Sequence, residues 1–225
     1  MMRADVYDQL KERLFAGELR TGQFVTQREL ASLLGATMNP VREAIRQLEA
    51  EGLITVYAQR GIQIIEGGSR AINDAYEYRM LIELNAIRLF AATAEKDAIR
   101  AVMRKVEASL QSMIEAPNNR SVRVAALERD FEFHREIVAF QGNEIISKHY
   151  ALNAARIRLF RSSMGEPLRR LDIAAKEHAS ILDACLARKE DLAAKRLAQH
   201  INVSREHTLG IRPMNDLRLP QVLKA

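Results

Sequence analysis

The sequence predicts a mainly α-helical protein in two parts, an N-terminal winged helix-turn-helix and a C-terminal all-α antiparallel bundle of about six helices. Three observations predict it. Strand-forming runs are confined to residues 53–65, where β-branched residues cluster. Residues 71–209 carry only helical stripes rich in Ala, Leu and Arg. Between them, Glu66-Gly67-Gly68-Ser69-Arg70 interrupts both patterns in the manner of a linker. The expected boundaries are 1–66 for the first domain, 67–73 for the linker, 74–210 for the helical domain and 211–225 for an irregular tail with Pro213 and Pro220.

The first domain reads helix, helix, helix, hairpin. Val6, Leu10 and Leu14 recur every fourth residue, and Gly17 ends that stripe. Thr26-Gln27-Arg28-Glu29 is a capping box opening a short helix whose Leu30, Ala31, Leu33 and Leu34 face a core. Gly35-Ala36-Thr37 supplies a tight turn. The next helix buries Val41, Ala44, Ile45 and Leu48; either Thr37 caps it, or Asn39 does with Pro40 at the first helical position. Gly52 closes it, and runs 53–57 and 62–65 flank the hairpin loop Ala58-Gln59-Arg60-Gly61. In the second domain the stripes break near Pro117, Gln141-Gly142-Asn143, Gly165-Glu166-Pro167 and Arg188-Lys189.

Composition excludes several classes. Of 225 residues 48% are hydrophobic, and Gly 10 with Pro 5 is too little for a low-complexity or collagenous chain. One cysteine, Cys185, leaves no internal disulfide and fits a reducing cytosol. With no run near the ~18 apolar residues of a membrane span and no signal-peptide segment, a cytoplasmic protein is expected. The +5 net charge is unevenly placed: residues 1–66 hold 8 Lys+Arg against 9 Asp+Glu, and residues 67–225 hold 26 against 20. Net charge therefore does not mark the first domain as a nucleic-acid binder.

Its pattern does. In a winged helix-turn-helix the second helix of the motif enters the major groove and the wing touches backbone or minor groove. Arg42 and Arg46, four apart and opposite the Val41–Ile45–Leu48 stripe, project from one side. Leu30-Ala31, Asn39-Pro40-Val41-Arg42-Glu43-Ala44-Ile45, Leu48 and Glu51-Gly52-Leu53-Ile54 resemble the GntR family of bacterial transcription regulators, with Gly17, Gly22 and the Arg60-Gly61 wing tip in matching places. The resemblance covers most of residues 3–65. It implies double-stranded DNA as partner, contacts from Arg42 and Arg46, and a wing that Gly61 lets approach the backbone. One residue departs: after the hydroxyl residue that opens the recognition helix, Thr37, the family usually has arginine, and here stands Met38. A guanidinium reading guanine is worth ~1–3 kcal/mol of discrimination. The usual operator is thereby put in doubt, and Gln27, Arg28 and Asn39 are the residues that could compensate.

The second domain points to a metal. Asp130 and His134 are one turn apart on a stripe with Leu127, Phe131 and Val138. His178 shares a stripe with Ile181, Leu182 and Cys185, and His200 with Leu197 and Ile201. His178 lies ~16 Å of helix rise before the break near Lys189, and His200 ~14 Å after Asp191, so an antiparallel hairpin returns both rings to one level. With Asp130 and His134 they make an Asp-His-His-His set, whereas His149 and His207 read as structural. Such donors without thiolate suit a divalent transition metal, zinc foremost, with nickel, cobalt, manganese or iron also open.

Asp130-Phe131-Glu132-Phe133-His134, Gly142-Asn143, Glu177-His178 with Ile181-Leu182, and Asp191 with His200 resemble the helical effector domain of the FadR subfamily. Its metal-binding branch uses one aspartate and three histidines at these places. The resemblance implies six or seven helices around a metal with coordination positions left for a small organic or sugar acid. It also implies a homodimer reading a palindromic operator. Arg79 falls where the subfamily places an arginine, and a guanidinium can grip a carboxylate through two bonds; the alternative is a structural ion pair with Glu83 or another acid. Asn143 reads as a helix cap, and Arg156, Arg158 and Arg161 as mostly surface. A ligand-responsive regulator, more often a repressor, is thus expected rather than an enzyme, working by repositioning the reading heads through Gly67-Gly68. The alternatives are a metal-responsive regulator or a metal-dependent hydrolase.

Overall fold

A computed structural model describes residues 3–163 and 170–211. Among these, α1 (Arg3–Phe15), β1 (Phe24–Val25), α2 (Gln27–Leu34), α3 (Met38–Ala50), β2 (Ile54–Tyr57) and β3 (Gly61–Ile64) come first. Then follow α4 (Ser69–Thr93), α5 (Lys96–Glu115), α6 (Arg120–Ala139), α7 (Glu144–Ser163), α8 (Leu171–Leu186) and α9 (Glu190–Thr208). The chain divides into two compact units: residues 1–72 with 155–165, and residues 73–154 with 166–225.

In the first unit α1 packs on α3, and Val6, Leu10 and Leu14 are buried against Val41, Ala44, Ile45 and Leu48. The capping box forms: Glu29 N donates to Thr26 Oγ1 at 3.2 Å, and Thr26 N donates to Glu29 Oε2 at 2.6 Å. Leu30 and Leu34 are buried, whereas Leu33 is 40% exposed, which corrects its expected core position. At 3.6 residues per turn, Leu33 lies on the flank of the face that Leu30 and Leu34 define. Gly35 takes the left-handed conformation that stops α2. Thr37, with extended backbone, is the N-cap residue of α3, so Asn39 and Pro40 sit inside the first turn. This resolves the two alternatives for the helix start.

The wing is a three-stranded antiparallel sheet in the order β1-β3-β2. Its third member, Phe24-Val25, is too short to carry an alternation signal and pairs with Gln63 and Ile62. Gly61 opens β3 with φ +99, and a Cβ there would stand 2.9 Å from the Val25 carbonyl oxygen. Only glycine meets both conditions without strain.

The end of α7 was not foreseen in this unit. Leu159 is buried within the core cluster of α1, α2, α3 and the sheet. The Arg158 guanidinium lies 4.3 Å from the Phe15 ring centroid, and Arg156 lies against Gly52. These arginines have packing roles in addition to exposure.

The second unit is all helix. α8 packs on α9, α5 and α6, and α5 on α6. α4 begins at Ser69, so residues 69–73 of the expected linker are helical. It ends at Thr93, where Glu95 starts α5 with no glycine or proline to mark the break. Asn143 Oδ1 accepts from Ile146 N at 3.1 Å, a cap for α7. The break expected near Gly165-Glu166-Pro167 and the tail from residue 212 lie outside the described residues.

Leu159 supplies a direct check on the first unit. Leu159→Ala removes a side chain that is 1% exposed and should cost about 2–5 kcal/mol, read as a lower urea midpoint. A cost below about 0.5 kcal/mol would remove the end of α7 from that core.

Candidate metal centre and nucleic-acid face

On the first unit, Arg28, Thr37, Asn39, Arg42, Arg46 and Arg60 are exposed, and Gly61 is half-buried at the loop end of the wing, paired with Tyr57. Arg42 Nε donates to Gln27 Oε1 at 3.4 Å, joining α3 to α2. Arg46 Nη1 donates to Glu43 Oε2 at 3.1 Å with 72% of its side chain exposed. Exposed pairs of this kind contribute little, so both guanidiniums are free to exchange these partners for phosphate or a base edge.

The interior of the second unit holds a cluster of titratable side chains. Asp130 and His134 from α6, His178 from α8 and His200 from α9 are all buried, and one ligand atom from each lies within 4.8 Å of the others. The Nε2 atom of His200 is 3.2 Å from Nε2 of His134 and 3.3 Å from Nε2 of His178. Asp130 Oδ1 is 3.8 Å from His178 Nε2. Two bonds of about 2.0–2.1 Å at a tetrahedral angle hold nitrogens about 3.3 Å apart, so the donor set fits one zinc-sized ion. The His178 ring stacks on Phe133, with centroids 3.9 Å apart. His149 is exposed, His207 is buried, and neither belongs to this group. Cys185 is buried with its thiol pushed up to about 12 by desolvation, and it too lies outside the set.

The outer edges of two rings meet carboxylates that the sequence reading did not place in the centre. Glu83 Oε2 is 2.7 Å from His134 Nδ1, and Glu177 Oε2 is 2.7 Å from His200 Nδ1. Glu83 Oε1 accepts from Arg79 Nε and from Tyr150 OH, each at 2.6 Å. Arg170 Nη2 donates to Glu177 Oε1 at 3.0 Å. Arg79 therefore forms the ion pair raised as its alternative role, yet its Nη2 is buried and has no hydrogen-bond partner. The Arg79/Glu83 i, i+4 spacing was a usable signal. Glu177 gave a misleading one, because it precedes His178 but serves His200, being a hundred degrees further back around the helix.

Electrostatics follow from burial. Desolvation, with Arg79 adding and Glu83 opposing, lowers His134 to about 4. Desolvation, then the neighbouring imidazoles of His200 and His134, holds His178 well below its usual value. Burial alone would raise Glu83, but Arg79 and the bonds from His134 and Tyr150 outweigh it and bring it to about 2. Tyr150 is raised by desolvation and by Glu83. Near pH 7 His134 and His178 are thus neutral, the form that ligates metal. Beside Asp130 and His178 lies a cavity of about 10 Å³ lined by Val106, Ser109, Ala126 and Leu171. That is room for about one water.

The lowered histidine values set a stability profile for the metal-free chain. Below 6.5 the unfolded chain binds a proton that folded His134 refuses until about 4, so stability falls as pH drops through that window. Glu83 adds a further loss between 4.5 and about 2. The melting temperature of chelator-treated protein should decline steadily from pH 7 to 4. A flat profile over that range would contradict the buried neutral imidazoles.

Comparison with known proteins agrees with this architecture. The FCD domain family matches residues 74–203, and the bacterial regulatory proteins of the gntR family match residues 2–64. A probable D-xylose utilization operon transcriptional repressor of Paenarthrobacter nicotinovorans is 30% identical over 88% of this chain and 84% of its own length. The Nta operon transcriptional regulator of Aminobacter aminovorans is 29% identical over 85% of this chain and 87% of its own. Among solved structures, a GntR regulator from Rhodococcus sp. RHA1 covers 94% of this chain and 99% of its own with a TM-score of 0.73 at 18% identity. E. coli McbR/YncC gives 0.72 at 20% identity, covering 94% of this chain and 99% of its own. These two show the fold. Because the helical domain matches over more than half the chain and the winged domain matches beside it, this protein belongs to the GntR family of transcription regulators, in the branch that carries an FCD domain.

Proposed function

We propose that this regulator is a repressor whose helical domain binds one divalent metal, zinc foremost, through Asp130, His134, His178 and His200. A small organic or sugar acid completes the coordination and alters operator affinity. The observation that carries the metal is the facing of imidazoles. With Nδ1 of His134 and of His200 each turned to a carboxylate, their Nε2 atoms confront each other at 3.2 Å. Two lone pairs at that distance repel unless a cation lies between them. The ion would supply Lewis acidity and positive charge for an anionic ligand. Arg79, with a buried Nη2 that has no partner, is the protein group suited to a carboxylate oxygen. The named repressor from Paenarthrobacter supports the direction of regulation.

The DNA contacts belong to Arg28, Thr37, Asn39, Arg42, Arg46, Arg60 and Gly61, acting on a palindromic operator from a homodimer. Leu81 at 74% and Leu89 at 39% exposure flank Asn85 on α4. Asn85 donates to Gln141 just before α7, whose Ile145 is 72% exposed. This apolar face of the helical domain supports pairing of two copies. Domain limits of 1–66 and 74–210 joined near Gly67-Gly68, and a cytoplasmic location, complete the proposal. No helix of the described residues is long and apolar enough to cross a membrane.

A second reading, in which the metal is itself the signal, is favoured by one observation: the cavity beside Asp130 admits about one water, not an organic acid. The two are separated by a thermal-shift screen of organic acids with and without chelator, run beside operator binding. Acid-dependent stabilisation that vanishes on chelation carries the first reading. DNA release by metal alone carries the second. The relatives are regulators, so the hydrolase alternative is set aside.

His178→Ala should lose stoichiometric metal and effector response while operator binding persists; retained metal would overturn the site. Arg46→Ala should weaken operator binding and lower its salt slope by about one unit, and an unchanged footprint would remove it from the interface.

A further inference from the structure

A neutral imidazole carries its one proton on either nitrogen, and only the other nitrogen can bind a metal. In this centre the choice is made by groups outside the ligand set. Ionised carboxylates only accept hydrogen bonds. Glu83 Oε2 at 2.7 Å from His134 Nδ1, and Glu177 Oε2 at 2.7 Å from His200 Nδ1, therefore require the proton on Nδ1 in both rings. We propose that Glu83 and Glu177 are the positioning residues of the metal centre, each fixing the tautomer and ring orientation that turns Nε2 of its histidine toward the ion. The inference rests on the reading that the centre holds a divalent metal.

Two features make this more than incidental packing. Each carboxylate is nearly inaccessible, Glu83 at 1% and Glu177 at 2% exposure, and each is anchored from behind by its own arginine. Arg79 and Tyr150 hold Glu83, and Arg170 holds Glu177. The centre is thus built on two parallel Arg–Glu–His chains that come from different helices. Such partners raise ligand basicity as well as orienting it.

Glu83 touches both Arg79 and His134. An acid drawn to Arg79 Nη2 acts on the same carboxylate that aims a metal ligand, so acid and metal affinities are coupled through Glu83.

The tautomers can be read in the zinc-loaded wild-type full chain, by two-bond proton–nitrogen correlation spectra of protein with ¹⁵N-labelled histidine. His134 and His200 should both show the proton on Nδ1. A proton on Nε2 in either ring overturns the proposal, and this readout needs no variant to fold. In the second arm, zinc affinity is measured by competition with a chelating dye in wild type and in Glu177→Gln, the variant's fold being checked by circular dichroism. The expected loss is about 10–100-fold. Wild-type uptake with unchanged affinity in Glu177→Gln overturns the positioning role alone. Wild-type protein that takes up no zinc overturns the metal reading beneath it.

Discussion

The interior of the helical domain depends first on the buried carboxylate of Glu83. Glu83 is 1% exposed and accepts from Arg79 on its own helix and from Tyr150 on α7, with His134 of α6 against its other oxygen. An ionised group so far from water costs several kcal/mol unless its bonds are satisfied with good geometry. The three helices must therefore keep one mutual register, and that register brings His134 opposite His200. Glu177 does the same for α8 and α9 through Arg170 and His200. The apolar faces of these helices would tolerate many arrangements; the buried polar chains select one.

The charge distribution acquires a physical meaning from this arrangement. Residues 1–66 carry almost no net charge, so the proposed hold on DNA depends on placed groups such as Arg42 and Arg46 and on their proposed doubling in a dimer. Part of the surplus positive charge of the helical domain is not surface charge at all. Arg79 and Arg170 are buried as counter-ions to Glu83 and Glu177. Others, Arg156 and Arg158 among them, stand at the end of α7, which belongs to the winged unit, and lie against Gly52 and Phe15 within it.

Local rules made the fold legible wherever one face of an element decides it. The Val41–Ala44–Ile45–Leu48 stripe and the Thr26/Glu29 capping box are read from spacing alone, and both form. The four metal-ligand candidates were legible because helical periodicity placed each on an inward stripe, and the structure brings their ligand atoms within 4.8 Å. What escaped is tertiary. Phe24-Val25 becomes a strand only because β3 lies beside it. Leu159 belongs to a core far from it in sequence, and the α4–α5 break at Glu95 has no turn residue to betray it. The carboxylates behind the histidines were hidden for the same reason: Glu83 and His134 are 51 residues apart, and no spacing rule links them.

In the proposed centre three imidazoles and Asp130 close on one ion. Titration of the metal-free full chain with cobalt(II), followed by the visible spectrum, tests this. The expected result is uptake of one equivalent per chain with ligand-field bands of a nitrogen–oxygen site and no thiolate charge-transfer band, since Cys185 lies outside the set. An absence of ligand-field bands up to excess cobalt, or a stoichiometry unrelated to the chain, would contradict it.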